Sequence, residues 1–200
     1  TNIEADSDKI VREIGKLIQL RRLSITKLRR DGQELLSSLL RLTNLRELVI
    51  SCIKEDETLD LQHSVFPKHE FLIRLKLKGR LERVPQWVTS LQSLRTLMLF
   101  NSRLREDENV IGSLGHLPNL VLLTLYCAYE GETLCFKVGG FRKLQRLELM
   151  QLKRLKWVTA EEESMPSLKN LQLIGCKLMQ ELSSGIQNLT GLQFLGFFDM

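Results

Sequence analysis

The 200-residue sequence is poor in most of the features that announce chemistry. No apolar run approaches the length of a membrane span, which excludes a transmembrane helix. Prolines number four, cysteines four and histidines three, and aromatic residues make up only 6% of the chain. No two cysteines form a C-x-x-C pair and none cluster at the ends, while His63, His69 and His116 share no ligand spacing with them. That pattern speaks against zinc and against a disulfide framework. Cys52, Cys127, Cys135 and Cys176 are therefore expected to be free thiols in a reducing compartment. No G-x-x-x-x-G-K-[ST] segment is present, so ATP or ADP is not expected to bind here by a phosphate-cradling loop. A nucleophile needs a base and an orienting group beside it, and no histidine stands out beside a Ser or Cys at a strand end. Carboxylate pairs such as Glu106 with Glu108, or Glu161 to Glu163, fall in charged loop segments where solvation is the default. Enzymatic activity is not expected. The N-terminus TNIEADSDKI is polar, unlike a signal peptide, and has no initiator Met. The C-terminus LGFFDM ends on apolar residues, where an array of repeats would close with a polar cap. Both features predict a piece of a longer protein.

Charge is uneven. The formal net charge is +5, and the excess lies in the first hundred residues, notably at Arg21, Arg22, Lys27, Arg29 and Arg30. These residues are scattered among repeat positions with few aromatics beside them, so no nucleic-acid partner is expected.

What the chain has in abundance is leucine at fixed spacing. Leu168 to Leu178, LKNLQLIGCKL, reads L-x-x-L-x-L-x-x-C-x-L. Its core recurs at Leu20-Leu23-Ile25, Leu45-Leu48-Ile50, Leu72-Leu75-Leu77, Leu94-Leu97-Leu99, Leu120-Leu123-Leu125, Leu144-Leu147-Leu149 and Leu192-Leu195-Phe197. Successive copies are 25, 27, 22, 26, 24, 24 and 24 residues apart. This is the leucine-rich repeat signature, with Cys176 at its Cys/Asn position. Within each copy the last two apolar residues are two apart, which is strand spacing, so both face one side. One strand cannot bury that side alone; stacked repeats share an elongated core. The predicted fold is an α/β leucine-rich-repeat solenoid, a horseshoe with a parallel sheet on its concave face and short helices or irregular segments on its convex face. Residues 1–200 are expected to form one array of about eight repeats.

Between the strands the readings are local. Residues 7 to 18, with Ser7 or Asp8 as N-cap and Ile10, Ile14, Leu17 and Ile18 at helical spacing, predict a helix. So does Gln33 to Leu42, with Leu35, Leu36, Leu39 and Leu40 facing the core. Residues 53 to 70, charged and containing Pro67, read as a surface loop. In LERVPQWV, Pro85 holds Val84 extended and Trp87 fills the convex side. AYEGETLCFKVGGF, residues 128 to 141, reads as an insertion turned by Gly131, Gly139 and Gly140. WVTAEEESMP, residues 157 to 166, reads as a short acidic insertion.

Some of these segments resemble one family. The V-P-x-W segment at Val84 to Trp87, GGFRKLQRL from Gly139 and SMPSLKNLQLIGC from Ser164 are similar to repeats of plant nucleotide-binding leucine-rich-repeat disease-resistance proteins of the coiled-coil class. The resemblance spans almost the whole chain; Ser183 and Ser184, in place of the usual Pro, depart from it. It implies a cytoplasmic immune receptor in which this segment recognises a pathogen effector or a guarded host protein and restrains the nucleotide-binding module. ADP or ATP would belong to that missing module, and the isolated segment would be a monomer. Two alternatives also use such arrays. A substrate-binding adaptor for ubiquitin ligation would require an upstream F-box. A receptor-kinase ectodomain would require a steady period, G-x-I-P segments and cap disulfides.

The outward residues of each predicted strand build one surface. Arg74, Lys76 and Lys78 place three positive charges in one repeat. Met98, Phe100, Leu122, Tyr126, Arg146 and Met150 follow in the next three. Apolar side chains clustered at exposed positions mark an interaction site. These nine residues are the expected protein-binding strip, whether for a separate partner or for a neighbouring domain of the same receptor.

Overall fold

A computed structural model describes residues 2–4, 13–26, 32–52, 57–61, 70–106, 110–179 and 185–200. Each predicted strand position holds a strand: β2 (Arg22–Thr26), β3 (Glu47–Ser51), β4 (Arg74–Lys78), β5 (Thr96–Phe100), β6 (Leu122–Tyr126), β8 (Arg146–Met150), β10 (Asn170–Ile174) and β11 (Phe194–Phe198). They form one parallel sheet in chain order, with β1 (Asn2–Glu4) added beside β2. The pairing is in phase with the repeat, so Leu123 lies opposite Leu97 and Leu147, and Leu125 opposite Leu99 and Leu149. Like residues therefore stack in columns. In the seven strands of this sheet from β2 to β10 the two inward residues are at most 2% exposed.

β1 was not foreseen, because Ile3 gives only one apolar residue of the repeat pattern. At the other end, Leu195 and Phe197 keep their phase but remain 37% and 42% exposed, because β11 pairs with β10 on one side only. A column needs a repeat on both sides to be dry.

Backbone hydrogen bonds lock the strand starts together. Val121 O accepts from both Gln145 N (2.8 Å) and Arg146 N (3.0 Å), and the pair recurs one repeat on, where Gln145 O accepts from Lys169 N and Asn170 N (2.9 Å each). Just before the strands, polar side chains add cross-repeat links. Asn44 Nδ2 donates to Ile18 O (3.1 Å), Asn119 Nδ2 to Gln92 O (2.8 Å) and Ser167 Oγ to Arg142 O (2.8 Å). From β4 onward the chain leaves each sheet strand through a left-handed residue: Gly79, Asn101, Cys127, Gln151, Gly175 and Asp199 all have positive φ. This turn carries the chain off the sheet towards the convex side.

The convex face varies from repeat to repeat. It carries α1 (Gly32–Leu39), the short α2 (Gln86–Thr89), α3 (Val110–Gly115), two strands and a 3-10 turn at Ile186–Asn188. In α1, Leu35 and Leu39, one turn apart, are fully buried. The helix ends earlier than expected, and Leu40 is 38% exposed rather than core. Pro85 stands at the N-cap of α2, and Trp87 is buried with its Nε1 donating to Leu61 O at 3.2 Å.

Three local expectations need correction or fall outside the described residues. Of the helix expected over 7–18, residues 7–12, including Ser7, Asp8 and Ile10, lie outside them. Glu13 and Ile14 are helical and Ile14 is buried, as expected, but the helix stops there: turn bonds such as Leu17 N to Ile14 O follow, and Leu17 and Ile18 stay more than half exposed. Each of the two segments read as insertions contains a strand. β7 (Thr133–Phe136) and β9 (Trp157–Ala160) pair in parallel, Leu134 opposite Val158 and Phe136 opposite Ala160. They occupy the same phase of successive repeats, 24 residues apart, and alternate buried and partly exposed residues. Most of the 53–70 loop, with Pro67, His63 and His69, lies outside the described residues.

Candidate protein-interaction surface

Period two sends every other residue of each strand away from the core. Because the strands are in register, these outward residues form three straight rows across the sheet. The first row runs Arg22, Glu47, Arg74, Thr96, Leu122, Arg146, Asn170, Phe194. The middle row contains Lys76, Met98, Thr124, Glu148 and Gln172. The last row runs Lys78, Phe100, Tyr126, Met150, Ile174, Phe198. All nine residues of the expected strip lie on this face, and the register makes them contiguous. They are half-buried to exposed, as outward side chains packed against their row neighbours must be.

The rows differ in chemistry. In the first, Glu47 sits between two arginines, 3.6 Å from Arg22 Nε and 3.1 Å from Arg74 Nη1. The charge at Arg74 is therefore partly answered within the sheet. Lys76 leaves its row sideways, with Nζ 4.5 Å from the centroid of the Phe100 ring. That contact sets the ammonium against the negative face of the aromatic ring, an attraction of cation and ring quadrupole. In the middle row Thr124, only 2% exposed, donates from Oγ1 to Glu148 Oε2 at 2.8 Å, and Arg146 Nη1 stands 3.9 Å from the other oxygen. The last row is apolar from Phe100 onward. The Phe100 and Tyr126 rings lie 5.6 Å apart, tilted by 31°. Ile174 and Phe198 prolong this row beyond Met150. They were legible as outward positions, but only the register shows that they continue the line of Phe100, Tyr126 and Met150. Clefts open along both margins of the sheet. One, of about 490 Å³, is lined by Asn101, Arg103, Cys127, Tyr129, Gln151 and Lys153 at the strand exits.

The remaining sequence candidates are scattered. None of the four cysteines is in a disulfide; Cys52 and Cys176 are buried and Cys127 and Cys135 half-exposed. Burial pushes the Cys52 thiol up to about 11, with nearby Glu57 adding to the effect; burial also raises Cys176. Cys135 lies on β7 rather than in an insertion. Among the described residues no group of His, Cys, Asp and Glu could hold a metal ion. His116 is exposed on the convex side, and Glu108 lies outside the described residues. Glu106 Oε2 accepts from the Glu132 backbone N–H at 2.9 Å, and Glu161 pairs with Lys137 Nζ at 2.7 Å, so both carboxylates bind across repeats. Of the basic cluster near the start, Lys27, Arg29 and Arg30 lie outside the described residues. No helix among the described residues is long and apolar enough to cross a membrane.

Strand, left-handed turn and convex return, repeated in register over columns of leucine, define a leucine-rich-repeat solenoid. Residues 1–197 match the family described as leucine-rich repeat region, and the chain belongs to that family. It is 37% identical over 189 residues to the disease resistance protein RPM1 of Arabidopsis thaliana, covering 94% of this chain. It is 29% identical over 188 residues to RPP8 of the same plant, covering 92% of this chain. To a putative late blight resistance protein homolog of Solanum demissum it is 29% identical over 157 residues, covering 76% of this chain. The chain spans 20% of the length of RPM1 and of RPP8, and 12% of the Solanum demissum protein. Its repeats are similar to those of these plant disease-resistance proteins. Two solved structures share the fold: the leucine-rich-repeat domain of the type III effector XopL, and internalin C2 of Listeria monocytogenes. Their TM-scores are 0.60 and 0.56 at 21% and 18% identity, with 92% and 96% of this chain and 71% and 91% of theirs covered.

Proposed function

We propose that this chain is the recognition and restraint module of an intracellular plant immune receptor. On this reading it is a non-catalytic binding surface. The strip from Arg74 to Met150 contacts a pathogen effector, a guarded host protein or the receptor's own nucleotide-binding module. The similarity to RPM1 and RPP8 favours this over a ubiquitin-ligase adaptor or a receptor-kinase ectodomain. The observation that carries the site is the last row of the concave sheet, where side chains from successive strands make one unbroken apolar line beside the β4 lysines. The aromatic pair would supply much of the affinity, about 1–4 kcal/mol for an anchor cut to alanine. The lysines would attract an acidic patch and speed association. ADP or ATP would be handled by a nucleotide-binding module elsewhere in the receptor.

The test is made in the whole receptor. Phe100→Ala with Tyr126→Ala should abolish the triggered response or switch the receptor on without its trigger. The first result identifies a ligand surface and the second a restraining contact. A folded double variant that is quiet at rest and responds normally rules the strip out. Lys76→Glu with Lys78→Glu should slow association and leave dissociation nearly unchanged.

A further inference from the structure

The last row has a shape as well as a polarity. Phe100, Tyr126, Met150, Ile174 and Phe198 come from five adjacent strands, so they are spaced at the strand-to-strand distance, about 4.8 Å each and ~19 Å in all. The stripe is one residue wide. Over β6 to β10 it is bordered by Thr124, Glu148 and Gln172 on one side and by the strand-exit turns on the other. The Thr124–Glu148 hydrogen bond satisfies the polar border within the sheet, so drying the apolar stripe leaves that pair intact.

We propose that the stripe receives a single amphipathic α-helix, with acidic residues just beyond its apolar face at the end that meets β4. This rests on the reading of the concave strip as an interaction surface and names the class of its occupant. The periods decide it. An α-helix advances about 5.4 Å per turn, close to one strand spacing, so residues at i, i+4, i+7 and i+11 stay over successive strands. Across the stripe the two periods drift by only about 2.4 Å, less than the width of a side chain. An extended peptide crossing the strands repeats its face every ~6.8 Å and is almost one strand out of step after two intervals. About 13 helical residues cover the distance. The charge follows from the same register: Lys78 is the residue that precedes Phe100 in the row, and the Lys76 ammonium lies over the Phe100 ring. An occupant that keeps to the stripe meets the Lys76 ammonium at Phe100, where its apolar face ends, and Lys78 one turn beyond.

The test uses the full 200-residue chain and a fluorescein-labelled synthetic peptide of about 15 residues. The peptide carries leucine at i, i+4, i+7 and i+11 and two glutamates before the first leucine, and is stapled on its polar face to hold the helix. A control of the same leucines and glutamates replaces two polar-face residues by proline. Fluorescence anisotropy should show the helical peptide binding at least ten-fold more tightly than the control. Met150→Asp with Ile174→Asp, both on side chains that are already half-exposed, should weaken binding ten-fold or more with unchanged circular dichroism. Lys76→Glu with Lys78→Glu should weaken it too, and exchanging the peptide's glutamates for lysines should restore it. Equal binding of the control overturns the helical occupant, as does no binding of the helical peptide to the unaltered chain or indifference to the aspartates. The receptor assay separates the two ideas. If Phe100→Ala with Tyr126→Ala alters the response while the helical peptide has no advantage, the strip stands and the helix falls. If the helical peptide is preferred and the receptor is indifferent, the groove takes a helix and the immune reading of the strip falls.

Discussion

The concave and convex halves of each repeat obey different rules. On the concave side, the eight repeat strands from β2 to β11 are all five residues long, share one phase and pair in register. On the convex side the corresponding segments are helix in some repeats, strand in two others and a 3-10 turn near the end. The difference lies in how neighbours are coupled. A one-residue slip in a ladder would turn every inward leucine to water, so the sheet enforces the period. Apart from the β7–β9 ladder, the convex segments meet through side-chain packing and a few cross-links, which tolerate changes of length. The spacings from 22 to 27 residues are absorbed there and leave the sheet unchanged.

The comparison is tested most strongly along one leucine column. Leu147 and Leu195 occupy the same position, but Leu147 is fully buried and Leu195 is 37% exposed. Leu147→Ala should cost about 2–5 kcal/mol, and Leu195→Ala only about 1 kcal/mol, as read from urea unfolding midpoints. Equal losses would show that stacking on both sides does not set the cost. A smaller effect is expected on the convex side. Gly185 has φ 110°, and an added Cβ would collide with the Ala160 backbone of β9; Gly139 has φ 71° and open space around it. Gly185→Ala should cost about 2–4 kcal/mol and Gly139→Ala about 1 kcal/mol in the same assay. Matching values would mean that the convex turns are not packed against their neighbours.

Thiol chemistry sharpens the contrast between interior and surface without changing stability. Iodoacetamide at mildly alkaline pH should modify Cys127 and Cys135 in the folded chain well before Cys52 and Cys176, whose thiols burial holds protonated. Peptide mass mapping should find all four labelled at similar rates once the chain is denatured. Early labelling of Cys176 would place its repeat position outside the core.

The smallest expected effect concerns pH. Hydrogen bonds from Lys156 to Glu132, and from Lys137 and the Val138 N–H to Glu161, hold both carboxyls below the usual glutamate range. Their contribution is present above the unfolded glutamate pKa and is lost as pH falls through the lowered folded values. Lys137 is raised, chiefly by its hydrogen bond to Glu161, so its share is present below the ordinary lysine range and lost as pH rises through the raised value. In acid the β7–β9 face should loosen slightly while the concave sheet does not. Hydrogen exchange, corrected for its intrinsic pH dependence, should speed a few-fold at Val138 and hardly change at Leu147. Uniform acceleration of both would remove the distinction between the two faces.

The sequence carries these features to different degrees. The eight inward pairs and the outward triplets were legible, because a period of two inside a period near 24 is a one-dimensional signal. The apolar row was half legible: Phe100, Tyr126 and Met150 stood out, while their alignment with Ile174 and Phe198 needed the register. The charges at β4 looked more alike than they are, since nothing local announces that Glu47, 27 residues before Arg74, faces it across the sheet.

Leucine phase alone set the repeat, the inward faces and the outward rows of each strand, because burial of stacked leucines leaves no other arrangement dry. The convex segments were decided by tertiary contact. Thr133–Phe136 is too short to carry a period of its own, and it becomes a strand because Trp157–Ala160 lies beside it one repeat later. The exposure of Leu195 and Phe197 was decided in the same way, by the number of neighbours a column has and not by the residues in it.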